Sequence, residues 1–459
     1  MKGKAHMRNF GTGLALFSLL AAAACSEENT NNNTNPDLAT GGGALTVNVS
    51  GDIVGTKWTK DKTYVLKDFV YVTSGTLEIE AGTTILGDSN AALIITREAK
   101  INAAGTKAAP IVFTSSKLAG SREKGDWGGL LVLGKAPILN KDATPDQIFE
   151  GLPASIGDKG KFGGTDAAHD CGVMKYLRIE FAGYKYADDK ELNGLTLSGC
   201  GNTTVVDFIQ AHLGNDDGVE VFGGTVNLKH IVVTQPDDDG IDYDLGWTGK
   251  AQFVLVQQSG TLGDNGIEAD GYNGDGTPSN PSNATIYNYT FIGRKGLGGT
   301  KISVGLLLRR SVLGKIYNSV IMKSGTAALD VRSKASGDAL AAGTLAIRGT
   351  SFFDNEGQSI EPTWPDTIDS NKQMENDSDM QEERKYSVAQ ADNFTSDPGY
   401  ADPQSLTAPK WAPSTTFLTE SAAKAVALPV GDSFFEAATF AGAVGADDWT
   451  AGWTQFPAN

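Results

Sequence analysis

Three stretches of this chain repeat one pattern: NDDGVEVFGG at residues 215–224, DDDGIDYDLG at residues 237–246, and GDNGIEADGY at residues 263–272. Each has an acidic turn, then a glycine, then a short strand in which apolar and acidic residues alternate. The stretches begin 22 and 26 residues apart. An internal period in the low twenties is typical of a solenoid, in which each repeat forms one coil that stacks on the next.

Apolar residues recur at two places in this repeat, two residues apart. The first place holds Leu195, Val219, Ile241, Ile267, Leu306 and Leu329, and the second holds Leu197, Val221, Tyr243, Ala269, Leu308 and Val331. Because successive side chains of a strand point to opposite faces, residues two apart share a face. Both sets are therefore predicted to line the interior of a parallel β-helix, as stacked ladders that form one continuous core.

Short alternating strands extend this pattern towards the N-terminus, separated by turns that contain glycine. The chain has 56 glycines, 20% charged residues and 40% hydrophobic residues, which fits a folded β protein with many tight turns. We predict an all-β, single-stranded parallel β-helix solenoid over residues 46–354. Residues 355–432 fit the repeat poorly, so residues 355–459 are predicted to form an irregular insertion and a C-terminal cap.

Aromatic residues near the C-terminus are the reason for predicting a cap. Trp449, Trp453 and Phe456 lie close together in the sequence. A solenoid must cover the exposed core at its end, and large apolar side chains serve that purpose. The alternative is that these rings form a platform for a sugar.

The N-terminal residues have the features of an export signal. Basic residues precede a short apolar run at residues 14–20, and four alanines lead directly to Cys25. This arrangement is typical of a secretory signal, and small residues before a cysteine resemble a bacterial lipobox, although Ala22 stands where leucine is usual. We predict a signal peptide over residues 1–24, a lipid on Cys25 and a flexible polar tether over residues 25–45. The alternative is ordinary cleavage near Ala24.

Export has consequences for location and for the remaining cysteines. Ser26 after Cys25 resembles sorting to the outer membrane of Gram-negative bacteria, with the choice between the periplasmic side and the cell surface left open. Because exported proteins fold in an oxidising compartment, Cys171 and Cys200 are a candidate disulfide. The alternative is a pair of free, buried thiols.

The chain is acidic, with a formal net charge of −17. Removing residues 1–24 takes away three basic residues and no acidic one, which makes the remainder more acidic still. Such a surface repels nucleic acid and anionic headgroups, so nucleic acid is excluded as a partner. It suits cations, neutral glycans or basic partners, or it serves solubility alone.

Longer stretches resemble a family of bacterial surface and outer-membrane lipoproteins that have a pectate-lyase-like β-helix. The resemblance rests on KDKTYVLKDFVYVTSGTLEIEAGTTILG at residues 60–87, GDWGGLLVLGKAPI at residues 125–138, the repeats quoted above, and DSFFEAATFAGAVGADDWTAGWTQFP at residues 432–457. It covers most of residues 58–350 and 432–457. It implies a right-handed, pectate-lyase-like helix and leaves the biochemical role undefined.

Acidic residues fill the outward positions of the repeat. The candidate metal ligands are Asp217, Asp239, Glu220, Asp242, Glu268, Asp244 and Asp270, with Asp216, Asp238 and Asp264 beside them in the turns. Equivalent residues in successive coils lie about 4.8 Å apart, so these carboxylates repel one another. Solvent, Arg309 and Arg332, or a bound Ca²⁺ would offset the repulsion. The alternative is that the turn aspartates accept hydrogen bonds from their own backbone.

These features favour a non-catalytic binding lipoprotein on the membrane, with a glycan as its ligand. Arg309, Arg332 and Trp247 are the candidate ligand contacts, and the alternative for Trp247, which lies beside a glycine in a predicted turn, is packing against the solenoid. A third hypothesis is that the protein is a structural or accessory partner of an outer-membrane complex.

The main alternative is a polysaccharide lyase or glycoside hydrolase. The run Asp239-Gly240-Ile241-Asp242 resembles a carboxylate motif of polygalacturonase-type glycosidases, which share the β-helix fold. Paired carboxylates can act as acid and base in glycoside hydrolysis. However, the companion Gly-His-Gly and Arg-Ile-Lys motifs are absent from the sequence, so no catalytic residue is assigned and an enzyme is the less favoured interpretation.

Overall fold

The computed structural model describes residues 45–140, 144–152, 154–187, 190–272, 278–299, 301–356 and 390–459. The predicted signal peptide, the lipidation site Cys25 and all but the last residue of the predicted tether lie outside the described residues, and so does much of the predicted insertion. In the part of the chain that is described, no helix is long and apolar enough to span a membrane.

Short β-strands make up most of the regular secondary structure in the described chain. In chain order they are β1 (Leu45–Val54), β2 (Lys57–Trp58), β3 (Lys62–Ile79), β4 (Thr84–Gly87), β5 (Ala92–Ile95), β6 (Ala99–Ala104), β7 (Ile111–Ser115), β8 (Leu130–Leu133), β9 (Gln147–Ile148), β10 (Lys161–Phe162), β11 (Gly172–Glu180), β12 (Lys185–Ala187), β13 (Lys190–Glu191), β14 (Leu195–Ser198), β15 (Val205–His212), β16 (Val219–Phe222), β17 (Asn227–Thr234), β18 (Ile241–Asp244), β19 (Lys250–Gln257), β20 (Asn265–Asp270), β21 (Asn283–Ile292), β22 (Val304–Arg309), β23 (Leu313–Tyr317), β24 (Val320–Met322), β25 (Ala327–Val331), β26 (Leu345–Arg348) and β27 (Ser351–Phe353).

All of these strands except the antiparallel pairs β9–β10 and β12–β13 pair in parallel with equivalent strands of neighbouring coils, which makes the fold a parallel β-helix. β14 pairs with β8 and β16, and β16 pairs in turn with β18. β15 bends at Phe208, where φ is 57°, so that its two halves join two different stacks of strands. The prediction of an all-β solenoid of stacked parallel strands is confirmed.

The register of the acidic repeats agrees with the two predicted apolar ladders. Leu195 pairs with Val219, Val219 with Ile241, and Ile241 with Ile267, and the same rows continue through Leu306 and Leu329. All of these side chains are buried. The apolar alternation therefore gave the correct register, because a slip of one residue would turn the apolar face outwards.

The glycine that precedes each of these strands is needed for close packing. A Cβ atom at Gly218 would lie 2.2 Å from the Val233 side chain, and one at Gly240 would lie 2.4 Å from Val256. At Gly266 it would lie 2.1 Å from the hydroxyl of Tyr289. The same place in each coil thus lies directly against the neighbouring wall of the solenoid, which explains why glycine recurs in all three repeats.

The segment between β8 and β11 covers part of the sheet that carries the acidic repeats. It contains the antiparallel pair β9–β10 and a 3₁₀ helix, η1 (Ala154–Gly160). Its Phe149 and Phe162 pack with Leu131, Leu133 and Phe222, which point outwards from the solenoid. An apolar cover therefore lies over this sheet immediately before the acidic residues begin.

The C-terminal aromatic residues, predicted to cover the end of the solenoid, lie along its flank instead, whereas Phe394 of the same predicted region continues the stack at the end. Trp449 and Trp453 contact Phe208 edge to face, each with ring centroids 6.0 Å apart, and Trp449 contacts His230 at 4.9 Å. Gln455 and Gln210 exchange two hydrogen bonds, of 2.6 and 3.0 Å. The rings cover a column of aromatic side chains at a corner of the coils, and sequence spacing does not reveal that target.

Two helices and one partial coil complete the C-terminal region. Helix α1 (Lys334–Ala342) lies between β25 and β26, and helix α2 (Thr415–Lys424) follows the last coil. The backbone of Phe394 exchanges hydrogen bonds with Thr350 and Phe352, so that it continues the stack beyond β27. A disulfide joins Cys171 and Cys200, both of which are fully buried.

Candidate functional site

The turn before each acidic strand is held by a ladder of side-chain oxygens. Oδ1 of Asn193 accepts the backbone N–H of Asp217 at 3.2 Å, and Oδ1 of Asp217 accepts that of Asp239 at 2.9 Å. Oδ1 of Asp239 accepts the N–H of Asn265 at 2.6 Å. One oxygen of each aspartate therefore stabilises the turn of the next coil, whereas the backbone-binding alternative expected a bond within the residue's own turn.

A second acidic row lies beside this ladder. Glu220 pairs in register with Asp242, and Asp242 with Glu268, as the repeats predicted. At the two ends of the row, the Asn193 amide donates a hydrogen bond to Glu220, and the Asn265 amide donates one to Glu268 at 3.2 Å.

The middle of the row lacks such a donor. Asp217 and Asp239 occupy the places that asparagine holds at the two ends, and an ionised carboxylate donates no hydrogen bond. Oδ1 of Asp242 is buried and has no hydrogen-bond partner among the described residues. A buried, unpaired carboxylate oxygen is costly, so this position calls for a proton or a cation.

Carboxylate oxygens converge around Asp242 in two overlapping groups. One is formed by Asp217, Glu220 and Asp242, and the other by Asp239, Asp242 and Glu268; in each, one oxygen per residue lies within 4.8 Å of the others. Asp216, Asp217 and Asp238 form a third group beside them. We refer to Asp217, Glu220, Asp239, Asp242 and Glu268 as the acidic cluster.

Basic residues neutralise one end of this sheet and not its centre. Among the described residues, no ion pair reaches Asp217, Asp239 or Asp242. Arg309 bonds to Glu268, and its Nε lies 2.6 Å from Oδ1 of Asp270.

Two further arginines lie at the same end of the sheet. Arg310 contacts Oδ2 of Asp270 at 2.5 Å, and Arg332 contacts Asp330 at 2.9 Å. Arg309 and Arg332, which the sequence proposed as ligand contacts, thus each form an ion pair with an acidic residue of their own sheet.

Burial makes the charge of the cluster costly. Burial is the largest cause that raises the pKa of Asp217, Asp239 and Asp242 well above the ordinary range, followed by repulsion from neighbouring carboxylates. The pKa of Glu220 is raised well above its ordinary range in the same way, while burial raises that of Glu268 to about 7 against the attraction of Arg309. Neutral carboxylic acids or a bound cation are the two ways to relieve this repulsion.

The acidic residues are less exposed than an outward-facing ladder suggests. Asp217 and Asp239 are 6% and 3% exposed, and Asp244 and Asp270 are 8% and 4% exposed. Burial also raises the pKa of Asp244, to about 8. Of the three alternatives for offsetting the repulsion, solvent therefore does not serve these four residues, while arginines serve Asp270.

The structure contradicts the assignment of Trp247 as a ligand contact. Its side chain is fully buried, its ring lies 5.0 Å from that of Tyr243, and its indole N–H donates to the carbonyl of Val226 at 2.9 Å. Trp127, which also lies beside a glycine, is fully buried as well. Both rings fill the interior of the solenoid, so the packing alternative is correct.

Some residues of the site were not found from the sequence. Asn193 lies two residues before Leu195, as Asp217 lies before Val219, so extending the repeat by one coil would have revealed it. Asn265 stood in the aligned turn, but its amide contact with Glu268 needs the side-chain geometry. No signal in the sequence indicates that Phe149 and Phe162 wall the site.

Comparison with known proteins agrees with this architecture. Residues 51–454 match the family model described as a pectate-lyase like beta helix domain. No curated protein and no solved structure gives a significant match to the chain.

Proposed function

Because the chain belongs to the family of pectate-lyase-like β-helix domains, we propose that it is a non-catalytic binding module that holds a divalent cation in the acidic cluster. The observation that carries this proposal is the buried Oδ1 of Asp242, which finds no hydrogen-bond partner in the described part of the chain, on a residue that belongs to two groups of converging carboxylates. A cation at that point would satisfy the oxygen and relieve the repulsion within both groups.

Calcium is the cation that fits the ligand set best. The cluster offers carboxylate oxygens only, and Ca²⁺ accepts six to eight oxygen ligands in flexible geometry. Asp217, Glu220, Asp239, Asp242 and Glu268 would hold it, with Asp242 shared between the two groups. A softer metal such as zinc favours nitrogen or sulfur ligands, and the groups that converge here contain neither histidine nor cysteine.

A glycan is the ligand that we propose for this module. A Ca²⁺ ion held by carboxylates accepts further oxygen ligands, and sugar hydroxyls and carboxylates supply them. The net charge of −17 disfavours anionic polymers unless a cation intervenes, so a cation-dependent contact accounts for binding at an acidic site. We further propose that the module is held on the outer membrane by a lipid on Cys25.

A polysaccharide-degrading enzyme is the second candidate, favoured by one observation. Glu268 has its pKa raised to about 7 and lies beside carboxylates whose pKa values are also raised, and such groups can transfer protons near neutral pH. Against it, Arg309 and the Asn265 amide already engage the Glu268 carboxylate.

Binding and turnover are separated by one experiment on purified protein. Neutral and acidic polysaccharides are incubated with the protein with Ca²⁺ or with a chelator, and both retention on the polymer and release of reducing ends are measured. We expect Ca²⁺-dependent retention, lost in Asp242→Asn and kept in Asp158→Asn, whose carboxylate is exposed on the η1 helix. Release of reducing ends that Asp242→Asn abolishes would replace the binding module with the enzyme.

A further inference from the structure

The C-terminal segment, residues 431–459, crosses four coils without belonging to their core, and we call it the strap. The strands of these coils, β15, β17, β19 and β21, pair continuously with one another in parallel. Among the described residues, the buried apolar cluster of the solenoid interior runs in sequence from Trp58 to Phe352 and contains no residue of the strap. The apolar side chains of the strap belong to a second cluster, on the outer flank. The coils therefore have their ladder and their core without the strap.

Two glutamines of the coils hold the strap by its main chain. The side-chain amide of Gln252 donates to the carbonyl of Glu436 at 2.9 Å and accepts the N–H of the same residue at 2.7 Å. Gln210 exchanges the same pair of bonds with Gln455, about 20 residues further along the strap. Both glutamines are fully buried. Such paired bonds recognise the backbone of an extended segment, as strand pairing does, and not the identity of its side chains.

Aromatic contacts fix the register of the strap. A column of stacked rings occupies one corner of successive coils, with centroids 4.1–5.0 Å apart, and its members are Tyr176, Phe208, His230 and Phe253. All four have a φ between 49° and 58°, a left-handed conformation that is unfavourable for bulky side chains. Trp453 meets the column edge to face at Tyr176, with centroids 5.6 Å apart, and Trp449 meets it at His230. The strap thus covers a strained aromatic surface.

The strap has bonds of its own and an exposed connection to the rest of the chain. The indole N–H of Trp449 donates to the carbonyl of Ala443 at 2.7 Å, and that of Trp453 donates to the carbonyl of Trp449 at 3.0 Å. The connection at Val430 and Gly431 is exposed to solvent. A segment with internal bonds, few links to the core and an exposed connection is suited to moving as one body.

We propose that the strap detaches and rebinds as a unit while the coils stay folded. The aromatic column, with Gln210 and Gln252, is then a binding site for an extended polypeptide that carries aromatic residues, and its occupant is the chain's own strap. The two glutamines bind the backbone, and Trp449 and Trp453 set the register. The proposal does not depend on the cation site, because the acidic cluster lies on the stack of β16, β18 and β20.

Cutting the exposed connection tests whether the strap is separable. A protease recognition site is inserted between Val430 and Gly431 of the full chain carrying Cys25→Ala, and the purified protein is cleaved. The cut strap should co-elute with the coils in gel filtration, because its own contacts hold it. A labelled synthetic peptide of residues 431–459 should then replace it below the melting temperature of the coils.

Variant peptides test the register. A peptide with Trp449→Ala and Trp453→Ala should fail to replace the cut strap, because it lacks both contacts with the aromatic column. A peptide with Thr439→Ala, at an exposed position of the strap, should enter as the unchanged peptide does. Equal entry of the two variant peptides would overturn the proposed role of the aromatic column.

Substitutions in the coils give a second measurement. Gln210→Ala with Gln252→Ala should raise the exchange rate of the peptide by about tenfold or more, because the variant lacks both pairs of backbone bonds. Gln257→Ala is the matched control, since this buried glutamine bonds to the carbonyls of Pro403 and Ser405, outside the strap, and it should leave the rate unchanged.

Three results would overturn the proposal. One is a cut strap that separates from the coils at once, because chain connectivity alone would then hold it in place. Another is a peptide that enters only when the coils melt, because the strap would then be part of one cooperative fold. The third is an equal exchange rate in the double variant and in Gln257→Ala. None of these results bears on calcium binding.

Discussion

Oδ1 of Asp217 accepts the backbone N–H of Asp239 at 2.9 Å, across the boundary between two coils. The two residues occupy the same place in consecutive repeats, and Asp239 makes the same bond to Asn265. Each carboxylate thus has two roles: one oxygen builds the turn of the next coil, and the carboxylate belongs to the acidic cluster. The two roles can be separated by substitution.

Asp239→Ala removes the acceptor for the Asn265 N–H, while Asp239→Asn keeps an oxygen in its place. We expect the alanine variant to lose about 1–3 kcal/mol of unfolding free energy, the usual cost of a buried donor left unpaired. Chemical denaturation in a chelator measures it. The asparagine variant should be at least as stable as the wild type at pH 7, because it keeps the acceptor oxygen and cannot carry the charge that burial disfavours. Equal losses in both variants would contradict the two-role account.

The stability of the cation-free protein should fall as the pH rises from 5 to 7. The folded protein binds protons more tightly than the unfolded chain, because burial raises the pKa of Asp264 to about 6 and that of Glu268 to about 7. Groups with raised pKa values contribute stability below the unfolded pKa, and this contribution is lost as the pH rises through the folded pKa. Thermal unfolding in a chelator at a series of pH values measures the slope.

His212 has the opposite effect on stability. Burial lowers its pKa to about 4, and its ring nitrogens contact Thr234 and the carbonyl of Pro457. Its contribution is present above the unfolded pKa of 6.5 and is lost towards low pH. Saturating Ca²⁺ should therefore remove the part of the slope that belongs to the acidic cluster and leave the part that belongs to His212. A slope that Ca²⁺ does not alter would count against a cation at the cluster.

The disulfide between Cys171 and Cys200 predicts that the oxidised, exported protein has no reactive thiol after denaturation. Cys25 must be lipidated or substituted in this experiment, because a free thiol at that position would add to the number of labelled cysteines. Labelling with a maleimide in denaturant, before and after reduction, measures the thiols. Two labelled cysteines before reduction would exclude the bond, whereas two that appear only after reduction are expected.

Cys25→Ala should release the protein from the membrane fraction. In the described chain no helix can span a bilayer, and a lipid on Cys25 is the anchor that we propose. Fractionation of cells that express the wild type or the variant, followed by immunoblotting, gives the result. Retention of the variant in membranes that have been washed with salt would contradict the lipid anchor.

Much of the fold could be predicted from the sequence, because the interior of a solenoid repeats in register. Ile241 and Ile267 lie one coil apart and were aligned from their spacing alone. The alternation of apolar and polar residues in a strand is a local pattern, so it can be recognised directly in the sequence. The position of Trp449 was not predictable in this way, since its contacts with Phe208 and His230 join parts of the chain more than 200 residues apart.

The candidate site was predicted in part for the same reason. The rows Asp217–Asp239 and Glu220–Asp242–Glu268 follow from the repeat, and the structure places them together. Their burial does not follow from it, because burial depends on how the surrounding chain packs in three dimensions. The burial of Trp247 was not predictable for the same reason, because its position beside a glycine fits an exposed turn and a packed turn equally well.

Thermal unfolding of the wild type and of Asp242→Asn, with and without Ca²⁺ at pH 7, tests the central claim most directly. A ligand that binds the native state raises the melting temperature as its concentration increases. We predict that Ca²⁺ raises the melting temperature of the wild type and that Asp242→Asn loses most of this increment. The variant without Ca²⁺ should melt no lower than the wild type, because asparagine cannot carry the charge that burial disfavours at this position, and Asp158→Asn should behave as the wild type. A wild-type melting temperature that does not change with Ca²⁺, or an increment that Asp242→Asn retains in full, would contradict the account.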